Sequence, residues 1–167
     1  MVSMTLFTSK GWIVNQNSSQ NDPKLNLLVL LTVFSIYIQT ILGALLRHTG
    51  NLLETHFLFA FVVASLVIWV CVRTNRIHYD NKEILRNANF LGVFLCLQIL
   101  LGLFAFVQKY TILGKSFPYI TFLISTSLHV VFGALLLASA ITLTLRVLRF
   151  PYINSEIIHS NSMEISA

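Results

Sequence analysis

Four long apolar stretches, roughly Leu25–Leu46, Leu53–Val72, Ala88–Val107 and Tyr119–Val147, decide most of what this chain can fold into. A helix of about 20 residues rises about 30 Å, the thickness of the hydrocarbon core of a bilayer. A stretch of that length in lipid must satisfy its own backbone N–H and C=O groups. A helix does so, whereas barrel strands would alternate apolar and polar residues. The last stretch is longer than one crossing needs, so it is expected to tilt or to run past the headgroups. Only 10% of the residues are charged, against about 25% in a soluble domain, which leaves too little charge to cover a water-facing surface. The reading is an all-α integral membrane protein: a four-helix transmembrane bundle over residues 25–150, with polar tails at 1–24 and 151–167.

The charges orient the bundle. Lys10, Lys24, Arg73, Arg76, Lys82, Arg86, Arg146 and Arg149 fall on the side shared by both tails and the loop between the second and third spans. The opposite side has only Arg47, Lys109 and Lys115. The positive-inside rule puts both termini in the cytoplasm. The net charge of +5 therefore reads as membrane anchoring, with lipid as the partner and no nucleic acid. Residues 1–24 lack a continuous apolar core before a small-residue cleavage site, so they read as a tail and not a signal peptide. Cys71 and Cys96 form no C-x-x-C, C-x-x-C-H or zinc spacing, which leaves covalent haem attachment and structural zinc without support. A disulfide between them would be unusual near the cytoplasmic side. His78 and His159, in polar surroundings, are expected to be solvated.

A weak repeat runs through the spans. Ile38–Arg47 (IQTILGALLR) and Leu97–Phe106 (LQILLGLFAF) share Gln-x-x-Leu-Gly, and each precedes a span bearing one histidine. Two similar helical hairpins packed as a pair would let the histidine helices face each other.

Those histidines are the sharpest chemical signal. His56 precedes Arg73 by 17 residues, and His129 precedes Arg146 by 17, which is roughly 25 Å of helix in each case. If the arginines mark one membrane face, the imidazoles share a depth, as two axial ligands of a haem iron require. Ser125 and Gly133 flank His129 at one helical turn, and Ala60 and Ala64 follow His56, leaving room for a flat macrocycle. The alternative is close small-residue helix packing, with each histidine hydrogen-bonded to a neighbouring helix. Arg47 and His48 at the outer side could meet haem propionates, or Arg47 could snorkel to headgroups and His48 cap its helix. Gln39 and Gln98 could bridge helices across the repeat or touch a haem edge. Glu54 could orient an imidazole, relay protons, or sit favourably at a helix start.

Gln39-Thr-Ile-Leu-Gly-Ala-Leu-Leu-Arg-His-Thr-Gly50 resembles the Gln-x-x-Leu-Gly-x-x-Val-Arg-x-Thr-Gly signature of the haem A synthase family. Gln98–Gly102 and Leu128-His129 through Ala138 are similar to that family's third and fourth helices, and the resemblance covers about Leu27 to Leu145. It implies half of the family's usual eight spans, with a homodimer or partner rebuilding the whole. It also implies His56 and His129 as haem ligands and a reaction that oxidises a ring methyl of haem O to a formyl group, giving haem A. Glu54 lies two residues before His56 where the family has a functional Glu at three. Phe57 stands where Arg is common, and the outer-loop cysteines of many members are absent. Three expectations follow: a half-size haem A synthase holding haem B, with Glu54 catalytic; a non-catalytic bis-histidine b-type cytochrome subunit of a respiratory complex; or a haem-free anchor or oxidase assembly factor. The expected location is a prokaryotic cytoplasmic membrane.

Overall fold

The structure is a computed structural model that describes the backbone of residues 22–78 and 81–165 and the side chains of 22–78 and 81–148. Lys10 and the rest of the expected tail up to residue 21, and the side chains of Arg149 and His159, lie outside the described residues. Among the described residues four helices follow one another: α1 (Pro23–Thr49), α2 (Leu53–Ile77), α3 (Lys82–Tyr110) and α4 (Tyr119–Ile165), with a short 3-10 helix at Ile112–Ser116 before α4. Each is long and apolar enough to cross a membrane, α4 over Tyr119–Leu148. The chain is a multi-pass membrane protein with an all-α four-helix bundle.

Local chemistry sets the helix ends. Asp22 caps α1 by accepting from the Leu25 N–H at 3.2 Å, with Pro23 at the first helical position. Asn81 caps α3 by accepting from the Ile84 N–H at 3.2 Å. These side chains satisfy N–H groups that the helix itself leaves free. α1 ends at Gly50, whose φ of 73° lets its N–H reach the Leu46 carbonyl. The helices extend beyond the apolar stretches, and the backbone of α4 stays helical to Ile165, where a polar tail was expected from Pro151. Apolar composition marks the part that lipid can cover, and it does not mark where backbone hydrogen bonding stops.

α1 packs beside α2 and α4, and α3 beside the same two, so the histidine-bearing α2 and α4 stand at opposite corners. The repeat is more exact in packing than in sequence. A shift of 59 residues carries buried Leu25, Val29, Thr32 and Ile36 of α1 onto buried Ile84, Ala88, Leu91 and Leu95 of α3. A shift of 73 carries Val63, Val67, Val70 and Thr74 of α2 onto Leu136, Ala140, Leu143 and Val147 of α4, again all buried. Each set follows the i, i+4, i+7, i+11 stripe of one helix face. Large apolar side chains such as Phe34, Leu58, Phe61, Trp69 and Leu100 point outward, as lipid contact requires.

Ion pairs close one end of the bundle. The Arg73 guanidinium of α2 donates twice to Asp22, at 2.8 Å from both Nε and Nη2. Arg146 of α4 pairs with Glu83 of α3. Both arginines of the 17-residue spacing thus staple their own hairpins. His78, expected to be solvated, is buried at the end of α2, with Nε2 3.7 Å from Asp22 Oδ2. The polar neighbours of His78 in sequence could not signal this placement beside Asp22. Cys71 and Cys96 are both free thiols, and Cys71 donates to the Ala88 carbonyl of α3 at 3.2 Å.

The Arg73 hydrogen bonds hold the Asp22 carboxyl below its ordinary value of 3.8. A depressed folded value means that the staple contributes fully above that ordinary pKa and is lost as pH falls through the depressed one. Resistance to thermal unfolding in detergent is therefore expected to fall on acidification below about pH 3.8. Asp22→Asn, which keeps the cap, should remove that part of the pH dependence. An unchanged profile in the variant would show that Asp22 does not carry it.

Candidate functional site

The buried apolar core stops below the histidines. Its outermost members on α1 and α3, Ile36 and Leu95, lie about one turn before Gln39 and Gln98, and those on α2 and α4, Val63 and Leu136, lie two turns beyond His56 and His129. In the half of the bundle above them, Ser125 is the one side chain among the described residues that reaches the buried class. Both imidazoles lie in that half and are half-buried, and Phe57, next to His56, meets Phe106 of α3 edge-on at 5.2 Å.

Each imidazole rests on the preceding helix of its own hairpin. His129 of α4 lies against Gly102 of α3, where an added Cβ would come within 2.9 Å of its Cε1. His56 of α2 lies against Gly43 of α1, where the corresponding distance is 3.2 Å. Glycine at both positions gives the ring access to the neighbouring backbone. One turn earlier on each helix stands the glutamine of the repeat. The Nε2 of Gln39 is 3.3 Å from His56 Nε2 and donates to the His56 carbonyl at 3.0 Å. The Nε2 of Gln98 is 3.3 Å from His129 Nε2. The glutamines thus bridge helices within each hairpin, not across the repeat.

Hydrogen-bond chemistry assigns the tautomers of the neutral rings. His129 Nδ1 is 3.1 Å from the Gln98 carbonyl, which can only accept, so Nδ1 carries the proton and Nε2 keeps its lone pair. An amide nitrogen can only donate, so His56 Nε2 also carries a lone pair and its Nδ1 the proton. That Nδ1 and the Oε1 atoms of Gln39 and Gln98 are buried without a hydrogen-bond partner among the described residues. A buried unpaired polar atom costs on the order of 1–3 kcal/mol, and several of them gather at this one layer.

Gly133 faces the Gln98 side chain, where an added Cβ would lie 3.0 Å from the amide nitrogen. Arg47, His48 and Glu54 are exposed. Glu54 lies two positions before His56, about 200° around the helix, so the carboxylate points away from the imidazole. Sequence reasoning passed over Gly43 and Gly102 as ring platforms. Their signal was present in the four-residue Gln-to-Gly spacing of both repeats, which places the two residues on one face. Ser125, read from the sequence only as a small neighbour of His129, donates its hydroxyl to Gln108 Oε1 at 2.8 Å and ties α4 to α3 just above His129, a partner that sequence reasoning passed over.

Comparisons of the chain with protein-family models, curated proteins and solved structures find no match. Function must be argued from the site itself. Among the described residues no three or more His, Cys, Asp or Glu side chains gather as a metal-holding group. Two histidines alone would leave a bare ion short of ligands, whereas a tetrapyrrole brings four nitrogens of its own and needs only axial donors. The lone pairs on opposite helices, the glycine platforms and the orphaned polar atoms all fit such a group.

Proposed function

We propose that the chain is a membrane haem protein in which His56 and His129 are the axial ligands of haem B. The observation that carries this reading is the matched pair of Nε2 lone pairs on diagonal helices, each met by a glutamine amide, just beyond the end of the buried apolar core. Bound haem would supply a redox-active iron, and the protein would supply ligands, orientation and a dry surrounding. Gln39 and Gln98 hold the rings in the tautomer that can ligate. The basic end faces the cytoplasm of a prokaryotic inner membrane, by the charge asymmetry of the loops.

The resemblance of Gln39–Gly50 extends the reading to catalysis: a half-size haem A synthase converting haem O to haem A, active as a homodimer or with an oxidase-assembly partner. On that reading Arg47 and His48 receive the propionates, and Glu54 serves turnover. One observation favours a second reading, a non-catalytic b-type cytochrome subunit. Glu54, the single carboxylate among the described residues of this half of the bundle, is exposed and points away from His56. Loading the purified protein with haem O and a reductant under air, then separating the extracted haems, distinguishes the two. The synthase reading expects haem A in the wild type and much less in Glu54→Gln. Haem O recovered unchanged from a protein that has bound it would leave the electron carrier.

A further inference from the structure

The two histidines occupy matching positions in the repeat, yet they are held differently. His129 sits ten residues into α4, where its Nδ1–H is bonded to the Gln98 carbonyl and its ring lies tight against Gly102. If the Gln98 side chain swings away from Nε2, that second bond still fixes the ring plane and the tautomer. A carbonyl on the far nitrogen also makes an imidazole a stronger donor. Among the described residues, His56 has only the Gln39 side chain hydrogen-bonded to its ring, and its buried Nδ1 has no partner. It also lies in the first turn of α2, which has no side-chain cap. The residue before that turn, Leu52, is held at φ 69°, a left-handed conformation that is strained for a non-glycine residue.

We infer that His129 is the anchored iron ligand and His56 the releasable one, so that a small neutral ligand reaches the iron from the His56 side. The inference rests on the haem reading above and concerns only the inequivalence of its two ligands. Gly102 matters because an alanine methyl there would push the ring away from the Gln98 carbonyl. Gly43 guards no such bond.

The test uses the full chain purified in detergent, with haem content, spin state and carbon monoxide binding to the ferrous protein as readouts. The wild type should take up carbon monoxide. His56→Ala should keep its haem in a five-coordinate, high-spin form that binds carbon monoxide faster, while His129→Ala should lose its haem. Two variants that leave both ligands in place guard against misfolding. Gly102→Ala should weaken haem affinity about 10–100-fold, and Gly43→Ala much less. Equal loss of haem from both histidine variants, or equal weakening by both glycine variants, would overturn the inequivalence and leave the haem reading standing. A wild type that binds no haem would overturn both.

Discussion

Replacing Arg146 with alanine is expected to destabilise the bundle by about 3 kcal/mol, the scale of breaking one side of a buried ion pair. Arg146 is 11% exposed and Glu83 22%, so removing the guanidinium strands a carboxylate that water can only partly reach. Arg86 approaches Glu83 at 3.4 Å but is 60% exposed, which makes it a weak substitute. The cost lies mainly in the stranded charge, so the double replacement Glu83→Gln with Arg146→Met should recover most of the loss. Thermal unfolding in detergent, followed by helicity, measures both. A single variant within about 0.5 kcal/mol of wild type would make the pair an ordinary surface contact.

The second large effect concerns ligand and not fold. The double replacement His56→Ala with His129→Ala should remove bound haem while the helices and their unfolding midpoint without haem stay near wild type. The reason is the division of the bundle along its length. The apolar core runs from Ile36 and Leu95 to the capped ends of α1 and α3, with Val63–Thr74 and Leu136–Val147 facing it. Neither histidine contributes to that core, so removing both rings leaves the packed half intact. Haem retained at wild-type content in the double variant would remove both residues from the ligand set. Collapse of the helical fold would show that the rings are structural, as the alternative of interhelical hydrogen bonding holds.

Much of this architecture could be read from the sequence because lipid imposes simple rules. Apolar runs of span length gave the four helices, and the shared Gln-x-x-Leu-Gly gave the hairpin repeat. The Asn-Asp-Pro run before α1 carries a capping signal, and Asn81 repeats it before α3. Asp22 to Gln39 and Asn81 to Gln98 are both 17 residues, so each glutamine stands at one depth from its cap. What the sequence hid depends on how each helix is rotated about its axis. Arg73 reaches Asp22 across 51 residues, and His78 turns inward instead of to water. The 17-residue histidine-to-arginine spacing was informative, but its arginines are paired to carboxylates at the bundle end. Nor could the sequence distinguish His56 from His129. Their difference is one backbone carbonyl, which comes within reach of one ring and not of the other.

The most direct test of the haem reading is a pyridine haemochrome and reduced-minus-oxidised spectrum of the wild-type chain, expressed with ample haem and purified in detergent. Two axial histidines call for a low-spin b-type spectrum at about one haem per chain. A folded, helical protein with no Soret band, before or after added haem, would contradict the assignment of His56 and His129 as iron ligands.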